Sequence, residues 1–257
     1  MVRALQLFSK LYHWRKLKKI SLAEPFFVLT GDIDSTILSD KQLLQLEANL
    51  KIAEEFKVPY WLFVTPDPVD SLEDLCERIL KCNSNVIIGS HGFKHVSFSN
   101  LTYAQQTEQL LRSSIAFREV LSIEPFAVRT PYLSVNRHTY KAVADVGFKF
   151  DFSTSFGLYA TKFPDFLNPK RLKETMFIPL TTPSDTYFRK RNASWRKISY
   201  TWIEKANAIL AKPGVLSFLV HPGTSYEEIP LALEALLQHI CGRGISILGA
   251  NGQQFEK

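Results

Sequence analysis

From residue 26 to residue 248 the sequence repeats one pattern: a short apolar run rich in β-formers, a polar junction, then a longer amphipathic stretch. That alternation is what strands joined by crossover helices in a mostly parallel sheet produce, as a (β/α) barrel or an open doubly wound sheet. The apolar runs predict strands at 25–30, 60–64, 85–89, 126–129, 148–151, 176–180, 215–220 and 245–248. Helices are predicted near 40–55, 70–82, 102–122, 134–146, 196–211 and 226–241, several opening on a Ser, Thr or Asp cap. No glycine-rich phosphate loop follows the first run, and polar residues recur at strand ends. The expected fold is therefore α/β, a distorted (β/α) barrel with seven or eight mostly parallel strands. Segments 157–173 and 189–197 read as long loops over one mouth of it.

Composition adds two limits. The net charge of +6 is a property of the N-terminus: residues 1–20 hold Arg3, Lys10, Arg15, Lys16, Lys18 and Lys19 and no acid, and removing those six from 31 basic residues leaves 25 against 25 acidic ones. No nucleic-acid surface is expected from so balanced a body. The division is a basic segment at 1–24 followed by one barrel domain at 25–257. With Leu5, Phe8, Leu11, Tyr12 and Trp14 interleaved, the segment can form an amphipathic helix that rests on anionic lipid, or can pack its apolar side under the barrel. No long apolar span and no signal core follow, which predicts a cytoplasmic protein, with peripheral contact at the inner membrane face through residues 1–20 as one reading. The oligomeric state is left open. Cys76, Cys82 and Cys241 form no CxxC pair and read as reduced thiols.

A β/α barrel presents its reactive side chains where strands end, so the strand-end junctions hold the candidates. After the first run, Asp32 and Asp34 stand two apart and point to the same side of extended chain, where two acids repel unless a cation lies between them. After the third, His91 and His95 stand four apart, spaced to bind one metal ion together. The histidines with a neighbouring acid make a set with open positions for water, which a hydrolytic metal needs. Later junctions carry Arg129-Thr130-Pro131-Tyr132, Asp151 and His221. Arg129 can pair with an aspartate, and His221 can protonate a leaving amine; singly, each also reads as a salt bridge, a cap or a turn.

Together, in this order, these motifs resemble the polysaccharide deacetylase family, also called the NodB-homology domain or carbohydrate esterase family 4, over residues 26–248. The resemblance implies Asp32 as catalytic base and Asp34, His91 and His95 as ligands of a divalent metal, zinc or another. It implies Arg129 as tether of the base, Pro131 and Tyr132 as shapers of the substrate groove, Asp151 as the aspartate that adjusts the acid, and His221 as the general acid. Ile33 separates the two acids, so their roles as base and ligand stay interchangeable at this stage. The implied activity is metal-dependent removal of an N-acyl group, acetyl first, from an amino sugar of a polysaccharide or its precursor, in surface polysaccharide or O-antigen biosynthesis. The alternatives are a deformylase or other amide hydrolase on a lipid-linked sugar and a non-catalytic glycan-binding barrel. Tyr159, Phe163, Phe166, Tyr187 and Trp195 are candidates to stack on sugar faces.

Overall fold

The computed structural model describes residues 11–162, 164–221, 227–249 and 254–255. The strands are β1 (Lys18–Lys19), β2 (Phe26–Ile33), β3 (Tyr60–Val64), β4 (Val86–Ser90), β5 (Ala127–Val128), β6 (Phe150–Asp151), β7 (Lys170–Leu172), β8 (Thr175–Phe177), β9 (Val215–Leu219), β10 (Ser246–Leu248) and β11 (Gln254–Phe255). Beyond residue 20, the α-helices among the described residues are α1 (Asp40–Glu55), α2 (Leu72–Cys82), α3 (Tyr103–Leu121), α4 (Thr139–Val146), α5 (Asp185–Arg189), α6 (Trp195–Leu210) and α7 (Glu228–Cys241). Eight strands, β2 to β6 and β8 to β10, are joined by parallel pairings, as the alternation predicts.

The barrel is distorted at both ends of this series. β9 runs along one edge of β2 from Phe26 to Thr30, while β10 and β3 share the other, β10 beside Phe26 and Phe27 and β3 beside Leu29 to Ile33. Among the described residues β8 and β9 form no backbone ladder. Hydroxyls join the two sides instead: Thr181 N–H donates to Ser217 Oγ at 2.8 Å, Ser217 N–H to Thr181 Oγ1 at 3.0 Å and Thr182 Oγ1 to the Ser217 carbonyl at 2.7 Å. All three residues are buried, so these bonds satisfy groups that would be costly to leave unpaired.

Two apolar layers follow from the period of two along each strand. Phe27, Leu29, Leu62 and Val64 pack outward with the helices, while Phe26, Val28, Trp61, Phe63, Phe150 and Phe152 fill the barrel interior. The Trp61 ring lies 5.2 Å from that of Phe152, and its indole N–H donates to the Leu248 carbonyl, tying β3 to β10 inside. On β2 the interior positions continue past Phe26 and Val28 to Thr30 and Asp32, so the polar end of the interior is the C-terminal end of the strands.

The described part of the basic segment does not stand apart from the barrel. Residues 11–15 are helical, Trp14 is fully buried in the outer core with its ring 5.3 Å from Phe156, and β1 pairs antiparallel with β7. From Leu11 onward the segment packs on the barrel; residues 1–10, with Arg3, Leu5, Phe8 and Lys10, lie outside the described residues. No helix among the described residues is long and apolar enough to cross a membrane. No disulfide joins Cys76, Cys82 and Cys241, and burial pushes the Cys76 thiol up to about 12.

Candidate active site

Asp32 is the last inward residue of β2, and Arg129 stands directly after β5. The guanidinium donates from Nη1 to Asp32 Oδ1 at 2.8 Å, from Nη2 to Thr30 Oγ1 at 2.8 Å and from Nε to the Phe152 carbonyl at 3.1 Å. Its carbon lies 4.6 Å from the centroid of the Phe63 ring. Arg129 is 1 % exposed and Asp32 5 %, so the charge of each is compensated inside the fold. Burial works against the ionised carboxyl of Asp32, but Arg129 and the neighbouring His91 and His221 outweigh it and hold the group below the ordinary carboxylate range.

His91 follows β4, where Gly92 has φ +77 and its N–H donates to Ser90 Oγ at 3.2 Å. Glycine takes that left-handed backbone without strain, and the turn lets His95 come back over His91, their ring centroids 5.3 Å apart. The Nδ1 proton of His91 goes to the Arg129 carbonyl at 2.8 Å, which leaves Nε2 as a lone-pair donor aimed at the carboxylates. Burial lowers the basicity of His91, favouring that neutral form.

Asp34 lies just past β2, its side chain half exposed. Asp34 Oδ1 is 3.3 Å from His95 Nε2 and 3.7 Å from His91 Nε2. These three donors lie within 4.8 Å of one another. Ligands about 2.1 Å from a tetrahedral ion stand about 3.4 Å apart, so the set fits one divalent metal, and its nitrogen and oxygen donors suit zinc among others. Asp32 Oδ2, 3.9 Å from His91 Nε2, is next to this set, but its other oxygen is committed to Arg129.

His221 stands two residues past β9, its ring mostly buried. Its Nδ1 lies 2.6 Å from Asp185 Oδ1, and its backbone N–H donates to Asp185 Oδ2 at 3.0 Å. The outward nitrogen, Nε2, is 3.9 Å from Asp32 Oδ2. Burial disfavours the imidazolium, but Asp185, followed by Asp32 and Asp34, raises His221 to about 9. The site thus keeps a carboxylate ionised and an imidazole protonated a few ångströms apart, the division of labour of an acid–base pair.

One predicted role moves. Asp151 does not touch His221; Asp185, first residue of α5, does. Phe150 and Phe152 point into the barrel, so Asp151 between them points out toward α4, where Oδ1 accepts the Ser153 N–H at 2.6 Å and Oδ2 has no partner. Burial pushes its carboxyl up to about 6. Asp185 stands five residues beyond the predicted strand 176–180, outside the reach of the strand-end rule; Ser184-Asp185 at a helix start is the sequence signal for it.

The cleft above these groups has a volume of about 570 Å³ and is lined by Asp32, Asp34, His91, His95, Tyr132 and His221, with Ile37, Leu38 and Leu133 on its apolar side and Arg189 and Lys190 on its rim. Pro131 is buried and opens a short 3-10 turn in which Tyr132 takes φ 60; the exposed Tyr132 ring packs 4.4 Å from His95. Of the aromatics expected to stack on sugars, none among the described residues lines this cleft. Phe166 is buried against Phe156, Tyr187 and Trp195 pack on the outer core, Tyr159 is exposed elsewhere, and Phe163 lies outside the described residues. They belong to segments whose apolar rings serve the barrel wall, and Tyr132 is the aromatic that faces the site.

A parallel barrel that gathers Asp32, Asp34, His91, His95 and His221 at the C-terminal strand ends places ionisable groups where barrel enzymes carry out their chemistry. Residues 44–150 match the family model described as polysaccharide deacetylase. A crystal structure from Mycobacterium smegmatis, assigned as a polysaccharide deacetylase, superposes at TM-score 0.72 with 19 % identity, over 89 % of this chain and 90 % of that one. A family 4 carbohydrate esterase from Streptomyces lividans, solved with acetate, superposes at 0.56 with 14 % identity over 91 % and 97 %. A carbohydrate esterase family 4 pseudoenzyme from Bacillus anthracis superposes at 0.61 with 15 % identity over 90 % and 65 %. No match is found among curated proteins. The match to the polysaccharide deacetylase family model covers residues 44–150, and the chain as a whole shares the (β/α)-barrel fold of these solved structures.

Proposed function

We propose that this chain is a metal-dependent deacylase that removes an N-acyl group, acetyl first, from an amino sugar of a polysaccharide or of its precursor. The observation that carries the reading is the position of Asp32 Oδ2, 3.9 Å from Nε2 of His91 on one side and 3.9 Å from Nε2 of His221 on the other. A base placed there stands between the ligand cluster and the acid.

Asp34, His91 and His95 would hold the divalent ion, which supplies positive charge for the acyl oxygen and lowers the pKa of a bound water. Asp32, kept ionised and oriented by Arg129, accepts the proton of the water that attacks the carbonyl carbon. His221, protonated and aimed by Asp185, donates from Nε2 to the sugar nitrogen as the carbon–nitrogen bond breaks. In this reading a backbone N–H near Tyr132 would stabilise the oxyanion together with the metal. A glycan-binding barrel that had lost catalysis would have no use for the buried Asp185–His221 pair.

The test is acetate release from N-acetylated amino-sugar oligomers, with metal content measured on the same samples. Asp32→Asn and His221→Ala should abolish turnover with metal retained, and His91→Ala should lose both. Full activity and full metal in all three variants would refute the assignment.

A further inference from the structure

We infer that the sugar conjugate taken by this site carries a phosphoryl group, held by Arg189 and Lys190 on the cleft rim; this deepens the deacylase reading and rests on it. The run 189–197 holds five cations and no acid. Three of them lie over rings: Arg191 over Tyr187 at 3.9 Å, Arg196 over Trp195 at 4.7 Å and Lys197 over Tyr200 at 6.0 Å. The other two, Arg189 and Lys190, are exposed, line the cleft, and make no ion pair among the described residues.

The other charges of the cleft do not answer them. Asp32 is matched by Arg129, Asp185 by His221, and Asp34 belongs to the ligand cluster. Two positive charges are left over at the rim, where a neutral glycan would have nothing to neutralise them. α5 fixes where they stand. It starts at Asp185, is anchored by Phe188 packed edge-on against Trp202, and ends at Arg189, about 6 Å further along its axis. The cations are therefore set one short helix from the acid, on the chain that aims it.

Adjacent Arg and Lys suit a phosphomonoester or a diphosphate, which carry close to two negative charges at neutral pH; Arg contributes a fork of N–H donors and Lys a point charge. The conjugate could be a nucleoside-diphosphate sugar or an isoprenyl-phosphate sugar, since both present that group beside the sugar ring.

Binding to the full chain can be measured by calorimetry with ligands that already lack the acyl group, so turnover plays no part. The probes are an amino sugar 1-phosphate and the methyl glycoside of the same sugar, followed by a nucleoside-diphosphate amino sugar and a short isoprenyl-phosphate amino sugar. The expected result is at least about tenfold tighter binding of the phosphorylated ligands, shrinking with added salt and lost in the R189Q/K190Q double variant. The tighter of the last two arms identifies the source. Equal binding of phosphate and methyl glycoside, or a preference that survives in the double variant, overturns the inference. Acetyl release from the N-acetylated methyl glycoside by the wild-type chain reports separately on the deacylase reading: release with no phosphate preference leaves that reading standing alone, and phosphate preference with no release from any conjugate leaves the anion site standing alone.

Discussion

Asp185 holds His221 at two points, one oxygen 2.6 Å from the ring Nδ1 and the other accepting the backbone N–H at 3.0 Å. The pair fixes both the direction of Nε2 and the charge on the ring.

Removing that charge should move the pH profile. His221 must be protonated to act as an acid, and with its pKa raised to about 9 the activity should fall on the alkaline side near that value. In Asp185→Asn the nearest negative charge is gone, so the alkaline limb of kcat/KM should shift toward acid by about 1–2 pH units. kcat should drop by roughly 10- to 100-fold, as when the partner that orients a catalytic histidine is lost. An unmoved limb would show that another group carries the acid role.

Metal should raise the stability of the folded chain only through the proposed ligands. Addition of zinc to the metal-stripped protein should raise Tm and restore acetate release, because a ligand bound by the native state alone stabilises it in proportion to its saturation. His91→Ala and Asp34→Ala should show neither effect. Metal analysis and a thermal melt on each protein check this.

Arg129 makes three directed bonds, and its loss leaves Asp32 buried without its counter-charge. Arg129→Met should cost about 3–5 kcal/mol in urea unfolding. Arg129→Lys should recover part of that, since an ammonium restores the charge without the fork. In both variants the acid limb of activity should move toward neutral pH as Asp32 becomes easier to protonate. A stability equal to wild type would contradict the coupling.

Asp151 gives a stability change of opposite sign. Its folded pKa of about 6 lies above the ordinary value of 3.8, so the native state binds the extra proton, and stability falls as pH rises from about 4 to above 6. Asp151→Asn removes that loss and should stabilise the chain at pH 8 by about 2 kcal/mol, with little gain at pH 4. Chemical denaturation at the two pH values reads the difference directly.

Trp14 tests the docking of the basic segment. It is buried completely, and Trp14→Ala should cost about 3–5 kcal/mol if the segment from Leu11 onward is part of the barrel's core. A neutral change would return the segment to an independent role.

The eight barrel strands were legible because each is an apolar run of β-formers bounded by polar residues, and the junction rule then led to Asp32, Asp34, His91, His95, Arg129 and His221. The added pairings of β1 with β7 and of β10 with β11 were not legible, since strands of two or three residues leave too short a pattern to read. Asp151 is a different case. It stands at a strand end like the others, but the side it faces depends on its parity relative to Phe150, and the same period of two that put Asp32 inside put Asp151 outside. The aromatics Tyr159, Phe166, Tyr187 and Trp195 are as compatible with burial as with ligand stacking, and Phe166 is buried.

The hydroxyl seam between Thr181 and Ser217 has a further meaning for the reaction. Thr181 and Ser217 are 36 residues apart, and so are Asp185 and His221, each four residues onward. The seam and the acid pair are therefore two rungs of one alignment, set by side chains rather than by a ladder of amides. A slip of one residue there would leave the barrel closed but turn the proton donor away from its acceptor. Thr181→Val, a change that looks conservative by shape, leaves the Ser217 N–H without its hydroxyl acceptor and loosens this alignment from four residues behind the Asp185–His221 pair.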